Sequence, residues 1–218
     1  MRKISFFFLV VLICGCAKKY SNPVTQQVAD SHRIIAIVPP SVNLNTETQE
    51  NAMRESINFQ QRLYSWLLSW KAKNQLSVDI LKTRETNDLL EEAGYFDGND
   101  LSPSKICEIL VVDAILTSHY SSRHKFSSGE SRAIGTILGA VNGTLPTAGP
   151  ATGKVSSILE LYDGNTGEMI WAYEQKKSTY VGATPYHTRT SSEAMEKIMK
   201  SASKNMPYFK WKYKEFSF

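Results

Sequence analysis

Disulfides cannot hold this chain together. Its 218 residues contain three cysteines, Cys14, Cys16 and Cys107, and two of these fall within the first sixteen positions. The body of the chain keeps one thiol, so its fold must rest on a buried core rather than on covalent staples. Charge of one sign is also scarce. The 25 Lys and Arg against 21 Asp and Glu leave +4, too mild a surplus to imply a nucleic-acid partner. A membrane-spanning stretch is missing. The apolar run Ile4 to Ile13, interrupted only by Ser5, is well short of the roughly 20 helical residues needed to cross about 30 Å of hydrocarbon. Metal-ligand spacing fails as well. His119 and His124 are five apart, which on a strand places them on opposite faces. His32 and His187 read as loop histidines without cysteine or carboxylate partners at ligand spacing. No metal, cofactor or catalytic site is expected.

What is present begins at the amino terminus. Arg2 and Lys3 precede the apolar run, and Gly15 supplies the small residue that signal peptidases require before a cut. The junction Ile13-Cys14-Gly15-Cys16 resembles a lipobox, the bacterial lipoprotein signal that ends in a lipid-modified cysteine. The resemblance implies a signal peptide over 1 to 15, cleavage before Cys16 and acylation of Cys16, with palmitate among the chains. Each buried methylene contributes roughly 0.8 kcal/mol, so several acyl chains anchor firmly. Ala17-Lys18-Lys19 lacks the aspartate that, in lipoproteins of enteric type, signals retention in the inner membrane. The expectation is an outer-membrane lipid anchor with the protein facing the periplasm. Of the 218 residues, loss of the first 15 leaves 203, and loss of Arg2 and Lys3 takes the formal charge from +4 to +2. That length suits one domain with a real core. Cys107 then reads as a small buried apolar residue.

Patterning predicts the organisation of that domain. Residues 16 to 31 are polar and read as a lipidated tether. Arg33 to Val38 (RIIAIV) is an apolar run stopped by Pro39-Pro40, which suits a buried strand. Thr46 and Gln49 form a candidate capping box, and the helix after it puts Phe59, Leu63, Trp66, Leu67 and Trp70 on one stripe. Leu76 to Lys82 reads as a strand, Thr83 to Ala93 as a helix closed by Gly94, and 103 to 109 as a helix that tolerates Pro103 in its first turn. Val111 to His119, Lys154 to Tyr162 and Glu168 to Lys176 read as strands. The last two are joined by the turn-rich Asp163-Gly164-Asn165-Thr166-Gly167. Ser191 to Asn205 is a final helix. The expected fold is α/β, a single domain over 32 to 207. Its order is β-α-β-α-α-β-β-β-α, with a mixed sheet of about five strands flanked by helices.

This order, with Thr83-Arg84-Glu85, Leu89-Leu90-Glu91-Glu92, Ile106 and Ile109, Val112-Asp113-Ala114-Ile115-Leu116 and the hairpin Asp163 to Trp171, resembles one superfamily. Its members include the TolB amino-terminal domain, the curli-secretion channel lipoproteins and the peptidoglycan-synthase activator lipoproteins. Val112 departs from the small residue favoured at its position. The resemblance covers about residues 33 to 205. It implies a TolB-like, non-enzymatic docking module, an accessory scaffold or adaptor in an envelope machine for secretion, transport or cell-wall biogenesis. The alternative is a periplasmic hydrolase or ligand-binding enzyme whose site the sequence does not display.

Two motifs that look chemical lose their meaning in context. Ala148 to Val155 (AGPATGKV) approaches a phosphate-binding Walker loop, but Val155 stands where Ser or Thr must bind Mg²⁺ and a strand follows instead of a helix. Ser102-Pro103-Ser104-Lys105 matches the S-x-x-K of penicillin-binding enzymes but spans a helix start, and no KTG follows.

Two other segments stand out. An insert over 127 to 153 carries no charge from Ala133 onward. Within it Ile134, Ile137, Leu138 and Val141 share one helical face, and Gly135, Gly139 and Gly143 recur every four residues on another. It reads either as a glycine-rich loop over the core or as a contact surface for self-association or the membrane interface. Its pattern lacks the period of two that the curli-channel relatives' membrane hairpins show. The tail, 208 to 218, alternates Phe209, Trp211 and Tyr213 with Lys210, Lys212 and Lys214. It reads either as an aromatic cover for a sheet edge or as a docking strip for a partner, a glycan or anionic head groups.

Overall fold

A computed structural model describes residues 17–44, 49–97, 99–124, 153–179 and 191–210. Residues 1–16, where the signal peptide and Cys16 are expected, together with Thr46, His187, the insert core and Trp211 to Phe218, lie outside them. The described chain runs β1 (Lys18–Ser21), α1 (Thr25–Ser31), β2 (Ile34–Ile37), β3 (Ser41–Leu44), α2 (Gln49–Ala72), β4 (Asp79–Ile80) and α3 (Thr83–Glu92). It continues through a 3₁₀ turn (Tyr95–Asp97), α4 (Pro103–Leu110), β5 (Ala114–His124), β6 (Gly153–Asp163), β7 (Met169–Thr179) and α5 (Ser191–Ser203). One mixed α/β sheet orders its strands β1-β7-β6-β5-β2-β4, with β3 also on β5. The class is as expected; the strand count is seven rather than five.

Local chemistry explains most of these elements. Strand β2 is buried on both sides. Ile35 and Ile37 enter one core with Leu63, Leu67, Leu159, Trp171 and Ile198, while Ala36 and Val38 enter another with Leu90, Ile106, Leu110 and Ile115. Two-sided burial is why RIIAIV shows no alternation. Pro39 and Pro40 interrupt the strand because proline has no N–H to give a ladder. The chain then resumes as β3, still alongside β5, at Ser41 opposite His119. Helix α2 buries Phe59, Leu63 and Leu67, with Trp66 and Trp70 packed half-buried at the margin of the same core. A buried leucine side chain contributes about 1.5–3 kcal/mol. Helix α4 starts at the Ser102 cap, whose Oγ accepts from Lys105 N, with Pro103 in its first turn. Gly94 follows α3 at φ +71°, the left-handed conformation glycine adopts without strain.

Three stretches differ from expectation. Residues 16 to 31 are not a free tether from Lys18 onward: β1 pairs antiparallel with β7, and α1 buries Thr25 and Ala29. All four β1 residues are exposed, so the segment shows none of the apolar periodicity by which strands are recognised. Of Leu76 to Lys82, only Asp79–Ile80 joins the sheet; Leu76 instead bridges to Phe209. Val111, expected to begin a strand, caps α4 at φ +52° and is 82% exposed.

Candidate functional site

The chemical-looking residues are each engaged elsewhere. Ser102 caps α4 and Lys105 Nζ holds Glu108 at 3.0 Å. Lys154 is an exposed strand residue and Val155 beside it is fully buried, so no helix start faces a phosphate there. Cys107 is 3% exposed, and burial, followed by the nearby charges of Asp163 and Asp113, pushes its thiol up to about 12. A thiol so raised is not a nucleophile at neutral pH. Positions 119 and 124 fall on opposite faces of the regular strand β5, and His119 only approaches Glu160, at 3.8 Å. Among the described residues no group of three His, Cys, Asp or Glu could hold a metal.

His32 is the residue that sequence reasoning misplaced. It is not a surface histidine: it is 5% exposed, at the junction of α1 and β2. Its Nε2 donates to Asp163 Oδ1 at 2.9 Å, since a carboxylate only accepts, and its Nδ1 meets the Tyr208 hydroxyl at 2.7 Å. Asp163 Oδ2 accepts from both N and Oγ1 of Thr166, at 2.8 Å each, which shapes the β6–β7 turn. Burial alone would raise the Asp163 carboxyl; the hydrogen bonds from His32 and Thr166 outweigh it and hold it below the ordinary range. Burial and the charge of Asp163 push the Tyr208 hydroxyl well above its usual value. Gly164 closes the turn so tightly that a Cβ there would lie 2.8 Å from Asp113 O and 2.9 Å from Cys107 Cβ. Asp113, the acidic residue of the family-like Val112-Asp113-Ala114, accepts from Arg33 N and Ile34 N at 2.6 and 2.9 Å and so pins the start of β2. His32 joins three remote pieces of chain: the α1–β2 junction, the β6–β7 turn and residue 208. Its enclosure makes it a clamp. The sequence signal was faint: Asp163 opening a turn is visible, but nothing local pairs it with a residue 131 positions away.

Phe209 must be taken off the list of docking residues. It is 0% exposed and lies edge-on to Trp70 at 5.6 Å, while Ser77 N donates to Tyr208 O and Lys210 N to Gln75 O. Two adjacent aromatics are buried in different contacts, which an alternating pattern does not foresee. Trp211 and Tyr213 lie outside the described residues, as do Gly135, Gly139, Gly143, Ile134, Ile137, Leu138 and Val141.

Two accessible features among the described residues bear on binding. An open groove of about 580 Å³ runs between α2 and α5, lined by residues including Gln61, Arg62, Trp66 and Glu196. The second is the edge of the sheet formed by β1 on β7. In register, Lys18 of β1 stands opposite Glu174 at the middle of β7, whereas Lys154 of β6 stands opposite Ser178 near its end. Lys18, Lys154 and Lys176 are exposed on one face of the sheet, and Lys19, opposite Tyr173, is exposed on the other, with Lys177 half-buried. Glu174 is the local carboxylate, 2.8 Å from Lys176 and 3.8 Å from Lys18. These lysine contacts hold its pKa below the usual range.

No family model and no curated relative matches the sequence. Solved structures do resemble it. Lipoprotein GNA1162 from Neisseria meningitidis is 15% identical with a TM-score of 0.44, over 79% of this chain and 96% of that one. A PelC dodecamer from Paraburkholderia phytofirmans gives 14% and 0.41, over 88% and 98%. The LpoB C-terminal domain from Escherichia coli gives 14% and 0.36, over 71% and 95%.

Proposed function

We propose that the protein is a lipid-anchored accessory lipoprotein of the bacterial envelope. It acts from the periplasmic face of the outer membrane as a non-enzymatic scaffold or adaptor in a secretion, transport or cell-wall machine. The observation that carries this reading is the Ile13-Cys14-Gly15-Cys16 junction, behind its apolar run, immediately preceding a folded domain that starts at Lys18. The way Ser102, Lys105, Cys107 and His32 are used for capping, pairing and burial supports a binding role over catalysis. Self-association through Gly135, Gly139 and Gly143 belongs to the same proposal, resting on their spacing alone.

The anchor is directly testable. Cys16→Ala abolishes labelling by a radioactive fatty acid and moves the protein out of the membrane fraction. A variant that still pellets with membranes at high salt places the anchor elsewhere and removes the basis of the reading.

A further inference from the structure

The groove between α2 and α5 is left unused by the lipoprotein reading, and its lining is chemically selective. Along α2, Asn58, Gln61, Ser65 and Ser69 are exposed at spacings of three and four, so their amides and hydroxyls form one polar row. From 58 to 69 that row is about 16 Å long, at roughly 1.5 Å per helical residue. Trp66 stands in the same lining with its ring held on two sides. Its Nε1 donates to Ser203 Oγ at 2.5 Å, and Trp70 meets it edge-on at 5.8 Å. The ring is fixed before any ligand arrives, so binding costs it little rotamer freedom.

This lining excludes most occupants. Among the described residues it has one cation, Arg62, and one carboxylate, Glu196, which offers no field for a nucleic acid or an anionic lipid surface. An amphipathic helix needs apolar anchors at i, i+3, i+4 and i+7. Trp66 and Met199, the latter 4% exposed, supply too few. An apolar small molecule needs enclosure, whereas this cleft is open. A chain of sugar rings meets every requirement. Each pyranose carries hydroxyls around its rim and an apolar C–H face that stacks on an aromatic ring. An acetamido substituent adds one donor and one acceptor, which a side-chain amide such as Asn58 or Gln61 matches in both senses.

We propose that the groove between α2 and α5 binds a glycan strand of N-acetylated hexosamines, the strand of the cell wall, with Trp66 as the stacking platform and Asn58 and Gln61 pairing the acetamido groups. The glycan chemistry rests on the groove, and the choice of the cell wall as its source rests on the envelope reading above. Bound in this way, the domain holds its partners against the wall.

The test sediments the full chain, expressed with its signal and kept in a detergent without a sugar head group, with purified insoluble cell-wall sacculi. The wild type should pellet with the sacculi, and chitotetraose, but not maltotetraose, should release it. Trp66→Leu should weaken binding about tenfold and Gln61→Ala about five-fold. Trp66→Phe, which keeps a flat ring, should restore most of the loss. Gln61 is exposed, so its variant reports on the groove with the fold intact. Protein that stays in the supernatant, or pelleting that neither Trp66→Leu nor Gln61→Ala weakens, overturns the proposal. Release by maltotetraose as readily as by chitotetraose overturns the acetamide recognition. Fatty-acid labelling of the same preparation separates the two readings. Labelled protein that ignores sacculi sinks the glycan site alone, and unlabelled protein that chitotetraose releases from sacculi sinks the anchor and leaves the site standing.

Discussion

Between Lys82 and Val111 the helix caps and exposed ion pairs are made by neighbours in sequence, whereas the stretch from Lys18 to Ile34 is held by residues far away. In the first, Ser102 caps α4 three residues from its bond partner, Arg84 pairs with Asp88, and Gly94 ends α3. In the second, Thr25 bonds Ile170, Gln26 bonds Pro207, and His32 bonds Asp163 and Tyr208, at separations of 131 to 181 positions. Both regions are parts of one sheet with its helices, but they fail differently. Damage in the local region costs a cap or an ion pair at one helix. Damage in the remote region unhooks the amino-terminal edge, the hairpin turn and the segment after α5 together.

The largest expected effect is therefore at the clamp. His32→Ala removes one partner of a buried pair whose side chains are 1% and 3% exposed. Asp163 keeps its Thr166 bonds, yet its Oδ1 and the Tyr208 hydroxyl lose their partner. Breaking a buried pair this way costs about 3–5 kcal/mol, a large share of the roughly 5–15 kcal/mol that holds a domain. Urea unfolding should show the midpoint falling by that free energy divided by the slope, with the slope unchanged. A loss under about 1 kcal/mol would mean that the clamp adds little and that remote contacts do not distinguish the region.

That asymmetry also sets what could be read in the sequence. Ser102, Pro103 and Gly94 announce their helices because capping and left-handed turns are decided within four residues. The stripe on α2 and the two-sided strand β2 were legible for the same reason. Lys18 to Ser21 carried no such signal: KKYS is polar, exposed on the sheet edge, and becomes a strand only because β7 offers its ladder. His32 looked like a loop histidine because its partners arrive from the other end of the chain.

Acid provides the second way to test the comparison. Asp163 and Asp113 are both held below the ordinary carboxylate range; burial opposes this, and hydrogen bonds from His32 and Thr166 in one case, and from Ile34 N and Arg33 N in the other, outweigh it. A depressed carboxyl adds stability above its unfolded value, near 3.9, and that stability disappears as pH falls through the folded value. Unfolding midpoints should thus hold from neutral pH to about pH 4 and drop below it. Asp113→Asn should flatten part of that drop. A profile in which this variant falls as steeply as the parent would detach the acid loss from the start of β2.

The local region should yield smaller numbers. Ser102→Ala removes the Oγ that accepts from Lys105 N at 3.3 Å, leaving that donor to water. Caps of this kind contribute about 1 kcal/mol, so the thermal midpoint should fall by only a few degrees. The amino-terminal edge should be untouched, as amide exchange in β1 would report. Loss of protection at β1 on Ser102→Ala would show that the two regions are coupled after all.

Val111 provides the smallest and sharpest test, because its sign is opposite. It ends α4 at φ +52° and ψ 51°, with its N–H reaching Cys107 O and Glu108 O. A left-handed conformation costs an ordinary side chain about 1–2 kcal/mol, and a β-branched one has the least room for it. The side chain is 82% exposed, so little apolar burial offsets that strain. Glycine adopts the conformation freely but gains freedom in the unfolded chain, which takes back about 0.4–1 kcal/mol. Val111→Gly should therefore stabilise the domain by roughly 0.5 kcal/mol, raising the urea midpoint slightly at the same slope. A clear loss of stability would mean that Val111 is covered in the working protein. The candidate cover would then be a partner seated at the carboxyl end of α4, where an exposed valine in a strained conformation would at last have a contact to justify it.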